Sequence, residues 1–221
     1  RDLEHSGMET EPAKMMFSEI ERIERLLKQL LMHSHPMPIK SQSFNLHELL
    51  DTVLSFERSS HPGLRFTAYY DASLPDIEAD RDKLHQVFLN LVRNASEACP
   101  ADGRVRVLTR HCAHWELAGT NLDPTRRYIL VSIEDEGPGI PEELRKNIFK
   151  PLFSTKKQGT GLGLSISFRL VESHGGQLRY QPSERSGACF QVILPESQSE
   201  SFEENSPNFV YQDLRLSLIH I

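Results

Sequence analysis

From Met16 the apolar residues Met16, Ile20, Ile23, Leu27 and Leu30 recur at spacings of four, three, four and three, with Glu and Arg in the gaps. This is the seam of a bundle or coiled-coil helix, and it needs a partner helix to cover it. The seam ends in HSHPMP, residues 33–38, where two prolines fall within three residues. His33 and His35 read as linker residues, because no further ligand stands at a zinc-like spacing. Ahead of the helix, residues 1–14 are polar, aperiodic and contain a proline, which predicts a disordered start or the scar of a truncation.

After that break the pattern alternates between strands and helices. A short strand is expected over 43–46, then a helix over 47–59 with Leu49, Leu50, Val53, Leu54 and Phe56 as its apolar face. Residues 64–70 are rich in β-favouring side chains and end at a turn over 71–75. Asp80 can cap a long helix over 81–98, on which Leu84, Val87, Phe88, Leu91, Ala95 and Ala98 share one side. Strands are expected over 104–112 and 127–134, joined by a polar excursion containing Trp115, Gly119 and Pro124. A helix over 163–174 should stop at Gly175-Gly176 and lead to strands over 177–181 and 189–194. The sum is an α+β fold, a two-layer α/β sandwich preceded by one bundle-type helix. Residues 196–221 begin acidic and serine-rich, which predicts a disordered tail, and VYQDLRLSLIHI reads as a short amphipathic end or an artefact.

Composition narrows the function. With 221 residues, 38% hydrophobic and 25% charged, the chain can bury one good core, and no run of eighteen apolar residues offers a membrane segment. A net charge of -6 argues against nucleic acid as a direct partner. The three cysteines, Cys99, Cys112 and Cys189, lack metal-ligand spacing, and no secretory signal precedes the first helix. Reduced, structural cysteines and a cytoplasmic location are expected.

The densest chemistry lies in 135–164, which opens with DEGPGI and closes with GTGLGL. Two glycine clusters separated by polar and basic residues suggest two tight backbone approaches to one ligand, with a lid between them. On the long helix, Asn90 and Asn94 project together beside the apolar stripe. An amide oxygen suits Mg²⁺, although by themselves two such amides serve equally to cap or bridge loops. Arg93 either leans over a phosphate or stays solvated. Asp135, out of context, merely begins a turn.

The order of the pieces decides between these readings. NLVRNASEA (90–98), DEGPGI (135–140), IFKPLFSTK (148–156) and GTGLGL (159–164) resemble the N, first glycine, F and second glycine motifs of the ATP-binding domain of bacterial sensor histidine kinases. The resemblance covers 44–195, and four ordered motifs leave little room for a chance match. The wider group includes gyrase, Hsp90 and MutL, and YDASLP (70–75) and PLFSTK look most like the nitrogen-regulation, NtrB-like branch. The resemblance implies a Bergerat ATP-binding fold over 39–195, with ATP and Mg²⁺ as cofactors.

Residue by residue, the resemblance makes Asp135 the acceptor for the adenine amino group, with Gly137, Gly139 and Ile140 beside the base. It makes Asn94 the Mg²⁺ ligand, with Asn90 its neighbour, and adds Arg93 to the ATP-binding set. Thr160, Gly161, Leu162, Gly163 and Leu164 would cradle phosphates, the two leucines as packing residues that pin the loop. Lys156 and Lys157 would meet the β- and γ-phosphates as the lid closes on its anchors Phe149 and Phe153. Gyrase-like ATPases place a water-activating glutamate where Asn90 stands, so slow hydrolysis and transfer to a protein side chain are implied.

Three departures stand out. Asn147 replaces an arginine common before the F motif, and Gly187-Ala188-Cys189-Phe190 replaces Gly-Thr-Thr-Phe, which puts a hydroxyl near adenine in doubt. The phosphoacceptor motif occurs nowhere, so no catalytic residue is assigned. The helix over 15–31 resembles the second helix of a dimerisation and phosphotransfer hairpin whose first helix is missing, leaving 15–38 as a remnant and a fragment as the favoured reading. The expected activity is transfer of the ATP γ-phosphoryl to a histidine supplied elsewhere. The expected partners are a phosphoacceptor domain and a response regulator, with a weak homodimer through 15–33. The alternatives are a gyrase- or MutL-type ATPase and a non-catalytic, anti-sigma-like interaction module.

Overall fold

A computed structural model describes residues 39–156, 159–182 and 187–196. The bundle helix, the linker histidines, the dimer seam, Lys157 and the tail beyond 196 lie outside the described residues. The element order is β1 (Gln42–Phe44), α1 (Leu46–Ser60), β2 (Arg65–Tyr69), β3 (Ile77–Ala79), α2 (Arg81–Ala98), β4 (Arg104–His111), a short 3₁₀ turn (His114–Leu117), β5 (Tyr128–Asp135), α3 (Glu142–Arg145), α4 (Gly163–Ser173), β6 (Gln177–Pro182) and β7 (Ala188–Pro195).

Five strands form the main sheet in the order β2-β4-β5-β7-β6. Only β2 and β4 run parallel; the other neighbours are antiparallel. Along β4 and β5, Val105, Val107, Ile129, Val131 and Ile133 face the helices and are fully buried. From the other layer, Leu49, Leu50, Val53, Leu84, Val87, Phe88 and Leu91 meet them, each at 0% exposure. This is the expected two-layer sandwich. Its hydrophobic core follows from period-2 strands facing period-3.6 helices.

Local chemistry sets where the helices begin. The Asn45 side chain accepts from the backbone N–H groups of His47 and Glu48, so α1 starts at Leu46 and β1 ends at Phe44. Phe56, expected on the apolar face of α1, is 53% exposed, and Glu57 takes the inward position one residue on. Asp80 caps α2 by accepting from the Lys83 N–H at 3.1 Å, and its second oxygen accepts from the Lys40 N–H at 3.0 Å. The Asp80 N–H donates to His174 Nε2 at 3.1 Å, while His174 Nδ1 donates to the Leu170 carbonyl at 2.6 Å. One imidazole thus ties the end of α4 to the start of α2.

Two small elements were not legible in the pattern. β3 is three residues long and pairs antiparallel with β1, Ile77 opposite Phe44. The polar excursion after β4 contains the 3₁₀ turn, whose Leu117 covers Tyr128, Leu130 and Ile193 on the outer sheet face. It is clamped by Glu116, whose carboxylate accepts two bonds from Arg110 at 2.6 and 2.7 Å and one from the Ala113 N–H at 2.9 Å.

Candidate functional site

Helix α2 organises the site, because two positions of one stripe, two turns apart, meet the two glycine stretches. At its C-terminal end, the Ala98 carbonyl lies so close to Gly137 that a Cβ there would come within 2.6 Å of the oxygen. Two turns earlier, a Cβ on Gly163 would overlap Asn90 Oδ1 and lie 3.0 Å from its Cγ. Asn94 stands between these contacts. Eight residues at the α-helical rise separate the two ends by about 12 Å.

At the first end, Asp135 closes β5 and is 2% exposed. Its Oδ1 accepts from the Gly137 N–H at 2.8 Å and the Ala188 N–H at 3.1 Å, and neither bond uses Oδ2. Burial pushes the carboxyl above the ordinary aspartate value, and these two backbone donors only partly offset it. Gly139 lies against the Gly187 carbonyl, and Ile140 packs on the core while its own carbonyl accepts from Arg145 Nε at 3.0 Å. In the Gly187-Ala188-Cys189-Phe190 stretch, where the sequence puts a hydroxyl near adenine in doubt, it is the Ala188 backbone amide that donates to this carboxylate. Cys189 is buried within β7, and burial pushes its thiol up to about 12.

At the second end, Leu162 precedes α4, is fully buried and provides no side-chain cap. The first-turn N–H groups of α4 therefore lack the side-chain acceptor that α1 and α2 possess. Gly161 has φ +67°, and a Cβ on it would lie 2.7 Å from both the Leu152 oxygen and the Phe153 nitrogen. Only glycine combines that left-handed turn with so close a backbone neighbour. Thr160 Oγ1 accepts from the Leu162 N–H at 3.4 Å, and Leu164 packs against the core. Phe149 lies 5.3 Å from Phe168 with the rings tilted by 38° and edge-on at 6.4 Å to Phe190, and Phe153 also packs on the core.

The middle of the site is polar. Lys156 Nζ donates to Asn94 Oδ1 at 3.3 Å and pairs with Glu97, placing a cation on the amide oxygen. Asn90 Nδ2 donates to Ser167 Oγ at 3.0 Å. Arg93 is turned the other way, with Nε 3.4 Å from Glu57 Oε1 of α1, where the fully buried carboxylate draws it. Of the residues the sequence singled out, the fold brings together Asn90, Asn94, Asp135, both glycine stretches and Lys156, while Arg93 stands apart. The sequence missed Glu97, Ser167 and the Ala188 amide. Glu57 was detectable in principle, as an acid at helical spacing from Val53 and Leu54. A groove of about 480 Å³ bordered by Tyr69, Leu108, Arg110 and Gln191 lies over the outer sheet face and includes none of the site residues.

Residues 79–198 match the family profile described as histidine kinase-, DNA gyrase B-, and HSP90-like ATPase. The sensory histidine kinase/phosphatase NtrB of Azospirillum brasilense is 35% identical over 82% of this chain and 46% of its own length. Sporulation kinase C of Bacillus subtilis is 34% identical over 82% of this chain and 40% of its own. The chain spans about half the length of the curated relatives it matches. Among solved structures, the nucleotide-free catalytic domain of histidine kinase ThkA superposes with a TM-score of 0.61 at 32% identity, covering 71% of this chain and 96% of that domain. A structure of ThkA in complex with response regulator TrrA matches with a TM-score of 0.64 at 29% identity, over 88% of this chain and 53% of that one.

Proposed function

This chain belongs to the histidine kinase-, DNA gyrase B- and HSP90-like ATPase family, and from that membership we propose that residues 39–195 bind Mg²⁺-ATP and serve as the catalytic domain of a cytoplasmic sensor histidine kinase. The observation that carries the proposal is the stripe on α2, with Ala98 against Gly137, Asn90 against Gly163 and Asn94 between them. A nucleotide lying along that stripe meets Asp135 at one end and the uncapped first turn of α4 at the other. Asp135 Oδ2 is the acceptor for the adenine amino group, and the N–H groups from Gly161 to Leu164 hold phosphate oxygens.

The residues fit a hard divalent cation. Asn94 Oδ1 already carries a positive charge, the Lys156 ammonium, which stands in for the metal. Among the described residues no group of three or more His, Cys, Asp or Glu side chains converges on a metal position. Asn94 is the side chain that would hold a Mg²⁺ beside the nucleotide phosphates, and the ion would supply neutralisation of charge on the transferred group. Lys156 is then free to turn from Asn94 toward the phosphates. Asn90 offers an amide rather than a carboxylate, so it does not take a proton from water, which favours transfer to an imidazole over hydrolysis.

The acceptor is a histidine on a separate phosphotransfer domain, and a response regulator is the onward partner. Mixing the protein with γ-labelled ATP, Mg²⁺ and a separate histidine hairpin domain tests the proposal. Label on the hairpin histidine is expected. Steady hydrolysis without labelling would instead indicate a gyrase-like ATPase.

A further inference from the structure

Ser167 lies on the second turn of α4, is 1% exposed, and sends its hydroxyl toward α2 rather than toward any expected ligand contact. We infer that Ser167 is a positioning residue for the phosphate end of the site: it accepts from Asn90 Nδ2 and so holds that amide in place against the first turn of α4. This inference rests on the nucleotide reading of the site.

Rotation about the last bond of an asparagine exchanges a carbonyl acceptor for an NH₂ donor, and the two have opposite preferences for a cation or a phosphate oxygen. Here the amide has two fixed contacts. Nδ2 is 3.0 Å from Ser167 Oγ, and Oδ1 is the Asn90 atom nearest the position of a Cβ on Gly163. A carbonyl oxygen accepts the weak Cα–H contact of a glycine, whereas an NH₂ group would press its hydrogens on that CH₂. The Gly163 contact turns the oxygen toward the start of α4, and the bond to Ser167 holds the amide in that place. Ser165, two residues earlier and equally buried, does not share the role, because its hydroxyl donates to the Leu162 carbonyl at 2.9 Å.

The consequence is separable from packing. Ser167→Ala removes the hydrogen-bond partner with a loss of one atom, so Asn90 is no longer held in that position. Affinity for Mg²⁺-ATP should fall about tenfold, the scale of one buried hydrogen bond. Affinity for adenosine, which reaches only the Asp135 end, should stay as in the unaltered protein. Ser167→Thr keeps the hydroxyl and should restore Mg²⁺-ATP affinity.

A second readout needs no nucleotide. The Asn90 side-chain NH₂ resonances, assigned by their loss in Asn90→Asp, should be well separated and slow to exchange in the unaltered protein. They should become faster exchanging in Ser167→Ala and recover in Ser167→Thr. Equal losses for adenosine and Mg²⁺-ATP, no loss for either, or unchanged Asn90 resonances would each overturn the inference. Should the unaltered protein not bind Mg²⁺-ATP at all, the nucleotide reading fails, and the resonance measurement still decides whether Ser167 holds the amide.

Discussion

Replacing Gly163 by alanine sets two physical effects against each other with opposite signs. Gly163 opens α4, and its φ is not among the positive values that the structure records for other glycines. Alanine can therefore adopt its backbone, and helix propensity alone predicts a gain of about 0.5–1 kcal/mol. Packing predicts a loss. The new Cβ overlaps Asn90 Oδ1 and comes within 3.0 Å of Cγ and 3.1 Å of Nδ2. The amide has to swing away, giving up its 3.0 Å bond to Ser167 at a cost of about 1 kcal/mol. It also strands the Ser167 hydroxyl at 1% exposure, which costs roughly 1–3 kcal/mol more. After the helix term is credited, Gly163→Ala should be destabilised by about 1–3 kcal/mol. At roughly 2–4 °C per kcal/mol for a domain of this size, the melting temperature drops by several degrees. Urea unfolding should show a lower midpoint with an unchanged slope, since the denatured state is not altered in compactness. A variant as stable as the unaltered protein, or more stable, would refute the account of Asn90 wedged against Gly163.

The other predictions concern the two ends of the site and the outer face. Asp135→Asn keeps an oxygen for the Gly137 and Ala188 amides but places an NH₂ where Oδ2 stood, so the preference for ATP over GTP should relax; competition binding that retains the full preference would count against the adenine assignment. Because burial raises the Asp135 carboxyl, while an amino group needs the ionised form as acceptor, ATP affinity should rise with pH through that raised value and then level off, with proton release measurable by calorimetry in two buffers. Asn94→Ala should weaken Mg²⁺-dependent ATP binding by about 1–3 kcal/mol, the cost of removing a charge-assisted contact, and an unchanged affinity in magnesium titrations would dispose of the ligand assignment. The hydrogen bonds from Arg110 hold Glu116 below the ordinary glutamate value, so its stabilisation is complete above the unfolded value and is lost as pH falls through the depressed folded one. Glu116→Gln should flatten that acid limb of the stability curve, and an unaltered limb in denaturant melts at graded pH would show that the clamp contributes nothing.

What was legible in the sequence follows from the range of each interaction. Helices α1, α2 and α4 announce themselves by period, and α2 and α4 also by neighbours that cap or end them, Asp80 and Gly175-Gly176, within a turn of the boundary, whereas the cap Asn45 falls within the strand expected before α1. The site residues with motif spacing were legible for the same reason. Asn90 and Asn94 are one turn apart, and each glycine cluster is contiguous. What escaped is tertiary. Ser167 meets Asn90 across 77 positions, and the Ala188 N–H meets Asp135 across 53, so no local pattern encodes either pairing. β3 escaped for a different reason, since three residues carry too little alternation to distinguish a strand from a loop. Phe56 and Glu57 are the instructive reversal. Hydrophobicity favoured Phe56 as the inward residue, but the phase of α1 set by Leu49, Val53 and Leu54 turns Glu57 inward, where it meets Arg93. That contact accounts for the position of Arg93 away from the glycine stretches.

The same geometry bears on what the segment joining the two glycine stretches is free to do. Gly137 is pinned to Ala98 and Gly163 to Asn90, so both ends of the site take their positions from α2. Their separation is then set by helix pitch, about 12 Å over eight residues, rather than by the loop between them. The loop keeps its own anchors, with Phe149 and Phe153 on the core and Gly161 fitted under Leu152. Its contact to the polar middle of the site is different in kind. The Lys156 ammonium on Asn94 and Glu97 is exposed, and exposed ion pairs are worth about 0–1 kcal/mol. Rearranging Lys156 therefore costs little, whereas moving either glycine stretch requires breaking close backbone contacts with α2. A ligand arriving along that helix can recruit the lysine without disturbing the frame that measures its length.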